Sequence, residues 1–165
     1  MDGSGYDDPP MPPGPEAYLD ALKMLARREL SEAQVRQRLA RRGHDPESID
    51  AAVARLKGER AIDDVRVAEA IARTEAAGRH RGRLRVARQI ENAGITGPIA
   101  RRAVDGIFGE IDSDALIEAA LRRRLRAGTA IRDDAEFRRL CRYLIGQGFE
   151  ADHVVRTLTA RRRDR

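Results

Sequence analysis

Tryptophan is absent from this 165-residue chain, cysteine occurs once, and aromatic residues make up only 4% of it. A single cysteine, Cys141, excludes an internal disulfide. The three histidines, His44, His80 and His153, lie far apart with no second ligand at helical spacing, so neither a metal site nor any other cofactor site is expected. No apolar run is long enough to cross a bilayer or to form the core of a signal peptide, which leads to the expectation of a soluble, cytoplasmic protein without a membrane partner. Lysine is nearly missing: all of the 32 basic residues except Lys23 and Lys57 are arginine. Arginine suits bidentate contact with phosphate or carboxylate, although a codon preference accounts for such a bias equally well. Hydrophobic residues reach 41% with few rings among them, so the core must be leucine, isoleucine, valine and alanine, a composition that favours helices.

What the chain does have is a ladder that occurs three times. Val35, Leu39 and Gly43 stand four residues apart, and the spacing returns as Val86, Ile90, Gly94 and as Leu140, Leu144, Gly148. A helix advances about 100° per residue, so positions i, i+4 and i+8 share one face, and each ladder predicts a helix with an apolar seam. Glycine closes each ladder, as expected where a helix ends in the left-handed conformation. The separation of the copies indicates an internal repeat of roughly fifty residues.

Residues 1–15, rich in proline up to Pro15, are expected to be a disordered leader. A first three-helix unit is expected over residues 16–62. It opens with Tyr18, Leu22, Leu25 and Ala26 on one side, continues with a capping pair, Ser31 and Gln34, ahead of the first ladder, and ends with a helix capped by Asp45 that carries Pro46 in its first turn and Ile49, Val53 and Leu56 on its seam. A second unit, residues 63–112, begins at Asp63 or Asp64 and places Val65, Ala68 and Ala72 on the buried side. It ends with a helix whose seam is Ile99, Ala103 and Ile107. A third, residues 113–160, starts at Ser113, carries Ile117, Leu121 and Leu125 to a stop near Gly128, restarts at Asp133 with Glu136, and closes with Val154 and Leu158. Residues 161–165 are expected to form a frayed basic tail. No alternation of period two occurs, so the expected fold is all-α: three tandem three-helix repeats in an elongated, arced body that offers a long surface to a macromolecular partner.

Charge is unevenly spread. Residues 1–15 sum to −3, residues 16–72 to zero and residues 73–165 to +8. An anionic partner is therefore expected on the back half, where Arg79, Arg81, Arg83, Arg85 and Arg88 form the densest cluster with no acid between them, and where Arg122 and Arg126 share a helical face opposite the apolar seam. His80, among these arginines, is the histidine placed to touch an anion. Catalytic signals are missing: no glycine-rich loop leads into Lys and Ser or Thr, the pairs Asp63/Asp64 and Asp133/Asp134 stand at helix starts where they cap, and Cys141 has no histidine near it in sequence. The helix, turn and helix from Ser31 to Leu56 has the outline of a DNA reader, but Asp45, Glu47 and Asp50 would meet phosphates with like charge. The few aromatics, most of them on apolar seams, give little support to base stacking.

Several stretches resemble the RecX regulatory proteins: Arg27, Arg28, Glu29, Leu30 and Ser31 before the first ladder; Leu56 to Ile62 followed by Asp63, Asp64 and Ala68; Gly82 to Gly94 with Ile95; and Tyr143 and Leu144 ahead of Gly148 and Phe149. The resemblance extends over residues 17–160. It implies three tandem three-helix repeats and a protein partner, the RecA recombinase. Proteins similar to this one occupy the groove of the RecA filament on single-stranded DNA, limit its growth or promote its disassembly, and are not enzymes. A monomer is expected, one that meets single-stranded DNA through the filament or else directly. The chain departs from the family pattern in two places: Gly146 and Gln147 stand where a basic pair is usual, and Val67 stands where an aromatic often precedes Ala68. A weaker grip of the filament by the last unit is the corresponding expectation. The competing reading is a sequence-independent nucleic-acid-binding helical protein that uses the cluster at residues 79–88.

Overall fold

The computed structural model describes residues 15–125 and 130–163, and among them every regular element is helical. The expected leader, apart from Pro15, and the expected stop near Gly128 lie outside the described residues. In chain order the helices are α1 (Pro15–Leu25), α2 (Glu32–Arg41), α3 (Pro46–Gly58), α4 (Asp64–Arg73), α5 (Arg83–Asn92), α6 (Gly97–Glu110), α7 (Ser113–Arg122), α8 (Asp134–Gly146) and α9 (Ala151–Arg163), and α4 is prolonged by a wide π-turn over Thr74–Gly78. Three apolar clusters are built in turn from α1–α3, α4–α6 and α7–α9. The chain divides into two compact units, Met1–Asp64 and Val65–Arg165. The second holds two of the clusters, and Phe108 and Ile111 pack against both of them.

The ladders are the innermost part of each cluster. Val35, Leu39, Val86, Ile90, Leu140 and Leu144 are all buried, and Gly43, Gly94 and Gly148 have positive φ, the conformation in which a residue with Cβ is strained. The helix starts follow the expected chemistry. Ser31 and Gln34 form the complete capping box on α2, Asp45 accepts from the Ser48 amide at 2.9 Å with Pro46 in the first turn of α3, and Asp133 accepts from the Glu136 amide at 2.7 Å on α8.

Some seams are rotated from the expected ones. In α1 the deepest residues are Ala17, Ala21 and Met24, with Tyr18, Leu22 and Leu25 flanking them and Ala26 exposed. Alanine permits a close approach between α1 and α3, so the larger side chains straddle the contact instead of filling it. In α4 it is Val67 that is buried beside Ala68 and Ala72, whereas Val65 is 48% exposed. In α6, Ala100, Ala103 and Val104 are innermost and Ile99 and Ile107 lie at the margin. Asp64 opens α4, and its carboxylate accepts from the Glu32 amide at 2.9 Å, so it satisfies an orphan donor in the first turn of α2. The helix α9 continues through Arg163, and within the expected tail Arg161 pairs with Glu118 and Arg162 with Asp134.

Candidate partner and nucleic-acid interface

The basic segment of residues 79–88 spans a turn and the start of α5. Glycine and alanine around Gly78 let the chain widen into the π-turn, after which the Arg79 amide donates to Thr74, the His80 amide to Ala76 and the Arg81 amide to Glu75, with His80 in the left-handed region at φ 55°. Gly82 then occupies the N-cap of α5 and has no side chain to offer. Carbonyls at the end of α8 take its place: the Gly82 amide donates to Gln147 at 2.9 Å, the Leu84 amide to Gly148 at 3.0 Å, and the Arg85 guanidinium to Gly146 at 3.0 Å. Donors at the start of one helix thus meet carbonyls at the end of another. A Cβ on Gly82 would lie 2.3 Å from the backbone of Gly148 and Phe149, so only glycine fits there. This contact fixes the cluster's position and makes it depend on α8.

The arginines of the cluster fall into two groups. Arg79 pairs with the buried Glu75 at 2.7 Å, Arg83 pairs with Asp105 and lies 5.8 Å from the Phe108 ring, and Arg85 is held by the Gly146 carbonyl. Along the sequence no acid interrupts the cluster, but in space Glu75 and Asp105 reach it from the preceding turn and from α6. Arg81 and Arg88 remain without an acid partner among the described residues; Arg88 is exposed, while Arg81 is half-buried with its Nε enclosed and unbonded. Arg122, at the end of α7, is exposed, and Arg126 lies outside the described residues. Burial, followed by the charges of Arg123 and Arg122, holds the His80 imidazole below its usual pKa, so the ring is neutral at pH 7. The turn at 79–81 and the end of α7 therefore belong to one basic surface containing His80, Arg81, Arg122 and Arg123. Arg123 has no distinguishing sequence signal, since nothing local says which of three consecutive arginines approaches His80.

This surface can attract an anion, but it has no visible catalytic constellation. Burial pushes the Cys141 thiol upward, away from the thiolate that a nucleophile needs. Of the paired acids, Asp64 and Asp133 accept from amides at helix starts and Asp134 pairs with Arg162. Among the described residues no group of His, Cys, Asp and Glu could hold a metal ion, and no helix is long and apolar enough to cross a membrane.

Comparison with known proteins adds the following. Residues 17–56 match the family model described as RecX, first three-helix domain. A regulatory protein RecX from Halorhodospira halophila is 34% identical over 141 residues, covering 84% of each chain. One from Syntrophotalea carbinolica is 33% identical over 141 residues, covering 84% of this chain and 92% of the relative. A crystal structure of a regulatory protein RecX superposes with a TM-score of 0.73 over 88% of this chain and 70% of the other, at 20% identity. That of RecX from Lactobacillus salivarius superposes with a TM-score of 0.67 over 88% and 96%, also at 20% identity, and both show likeness of fold.

Proposed function

The chain belongs to the RecX family, and from that membership we propose that it is a non-enzymatic regulator of the RecA recombinase. It binds the RecA filament on single-stranded DNA and limits the filament's extension or promotes its disassembly, thereby modulating recombinational DNA repair and the SOS response. It does so in the cytoplasm as a monomer, with three-helix units over residues 16–62, 63–112 and 113–160. The observation that carries this reading is the similarity to regulatory proteins RecX along most of the chain. The basic surface of Arg81, Arg122 and Arg123 and the exposed Arg88 on α5 support it, because a filament on DNA presents acidic side chains and phosphates together. Arg79, Arg83 and Arg85 add positive charge along the same segment while also bracing it.

Substoichiometric protein added to RecA on single-stranded DNA is expected to suppress strand exchange and RecA ATP hydrolysis. No change at saturating amounts would overturn the reading. If naked single-stranded DNA binds as tightly as the filament does, a sequence-independent nucleic-acid binder becomes the better description.

A further inference from the structure

Within the first compact unit, a cavity of about 440 Å³ opens between the α1–α2 turn and the C-terminal end of α2. Met24 and Leu30 supply apolar wall; Arg27 and Arg28 come from the turn, and Arg38, Arg41 and Arg42 from α2 and its cap. The last three recur at i, i+3 and i+4, which places them on one helical face. Basic residues in a last helical turn are ordinary, since they complement the helix dipole. Arg38 is different, because its Nη1 is enclosed and has no hydrogen-bond partner. A guanidinium does not lose its proton in a protein, so its charge is met by an anion or stays uncompensated. Burial acts first against that charge, and Arg28 and Arg41 add like-charge repulsion.

Among the described residues one carboxylate, Asp20, reaches the cluster, and only at Arg42. Arg42 lies 3.4 Å from Asp20, but that carboxylate is shared with His44 at 3.2 Å and Lys23 at 3.4 Å. Arg27, Arg28, Arg38 and Arg41 have no acid partner among the described residues. A cavity of about 540 Å³ beside α7 and α9 makes the contrast: there His153 pairs with Asp114 and Arg161 with Glu118, which leaves a single lining guanidinium, Arg156, against the four of the α1–α2 cavity. Several uncompensated guanidiniums around one cavity call for a ligand with more than one charge and several acceptor oxygens. A carboxylate answers one fork; a phosphoryl group answers several.

We propose that this cavity is a phosphate-binding site, in which Arg38, flanked by Arg28 and Arg41, takes the phosphoryl oxygens of a phosphate ester whose organic part lies against Met24 and Leu30. Two sources present this chemistry, the backbone of a single-stranded nucleic acid and a free nucleotide or polyphosphate. The site is built from residues of the first unit and the basic surface from residues of the second, and its test contains no RecA, so its outcome is independent of the proposed regulation.

The full chain is titrated at low salt with inorganic pyrophosphate by calorimetry and with fluorescein-labelled oligothymidylate by anisotropy. Arg38→Gln and the exposed Arg41→Gln are each expected to weaken binding by about tenfold, the loss of one charge-assisted hydrogen bond, against less than about threefold for Arg101→Gln, an exposed α6 arginine that removes the same charge elsewhere. Displacement of the oligonucleotide by pyrophosphate, with both probes weakened by the variants, identifies the nucleic-acid backbone as the source. Pyrophosphate binding that is weakened while oligonucleotide binding is not identifies a free phosphate compound. The proposal is overturned if neither probe distinguishes the cavity variants from Arg101→Gln. It is equally overturned if a polyglutamate peptide binds the cavity more tightly than either probe, which would assign it to an acidic protein partner.

Discussion

Burial works against the charge of both Glu136 and Arg38, and the two differ in the partners that offset it. The Glu136 carboxylate is 6% exposed and accepts from the Arg132 amide at 2.9 Å, with the guanidiniums of Arg132 and Arg139 at 3.4 and 3.1 Å. The Arg132 amide, followed by the Arg132 guanidinium, holds this carboxyl below the usual range. A lowered folded-state pKa gives stability that is present above the unfolded value, about 4.3 for glutamate, and lost as pH falls through the folded value. Asp20, Glu32, Asp45 and Asp133 are lowered as well. The urea midpoint is therefore expected to fall between pH 7 and pH 3, and Glu136→Gln to lower it at pH 7 while narrowing the difference between the two. At Arg38 the favourable partners are missing, so Arg38→Met is expected to leave the midpoint unchanged or to raise stability by up to about 1 kcal/mol. Thermal unfolding of that variant checks this; a clear destabilisation would mean that the guanidinium holds the fold. In sequence Arg38 looks like Arg36, two residues earlier on the same helix. Arg36 faces Glu32 and Asp50, whereas Arg38 lies under the α1–α2 turn, and only the packing of that turn tells them apart.

Gly82, at the start of α5, and Gly106, inside α6, answer to opposite constraints. Gly82→Ala places a Cβ 2.3 Å from the Gly148 backbone, which cannot yield as a flexible side chain would. The carbonyls of Gln147 and Gly148 would move off the first turn of α5, and a loss of about 2 kcal/mol or more is expected. Gly106 is the converse: it lies inside α6, is exposed, and has nothing within 4 Å of a built Cβ. Gly106→Ala is expected to stabilise the chain by about 0.5–1 kcal/mol through helix propensity. Denaturant midpoints of the two variants test the ranking. The ladders were legible because their period is intrinsic to a helix and their glycines end it. The seams of α1 and α4 were legible only to within a residue or two, because whether Ala21 or Leu22, or Val67 or Val65, lies deepest is decided by how closely the neighbouring helix approaches. Gly82 carried no local sign of its constraint, since the contact joins segments about sixty residues apart, as Arg85 and Gly146 are.

Across the whole molecule, net charge is a poor guide to where charge is unopposed. Residues 16–72 sum to zero, yet their acids pair elsewhere, Glu32 with Lys57 and Glu59 with Arg55, and leave Arg27, Arg28, Arg38 and Arg41 of the α1–α2 cavity without partners among the described residues. In the back half the surplus is real, but Glu75 and Asp105 already meet two of the five clustered arginines. Partner binding there is expected to depend most on Arg81 and Arg88. The double variant Arg81→Gln, Arg88→Gln is expected to weaken binding to RecA filaments on single-stranded DNA, and the same change at Arg83 to weaken it less. Salt dependence then identifies what the two arginines touch. If each neutralises a phosphate, the log–log slope becomes shallower by about 0.7 per residue, roughly 1.4 for the pair, on naked single strands as well as on the filament. If they meet acidic side chains of the filament protein, binding to naked DNA keeps its slope and only filament binding changes. Arg101→Gln, which removes one exposed charge on α6, provides the charge-matched comparison for both titrations. An unchanged filament affinity in the double variant would move the interface away from α5 altogether.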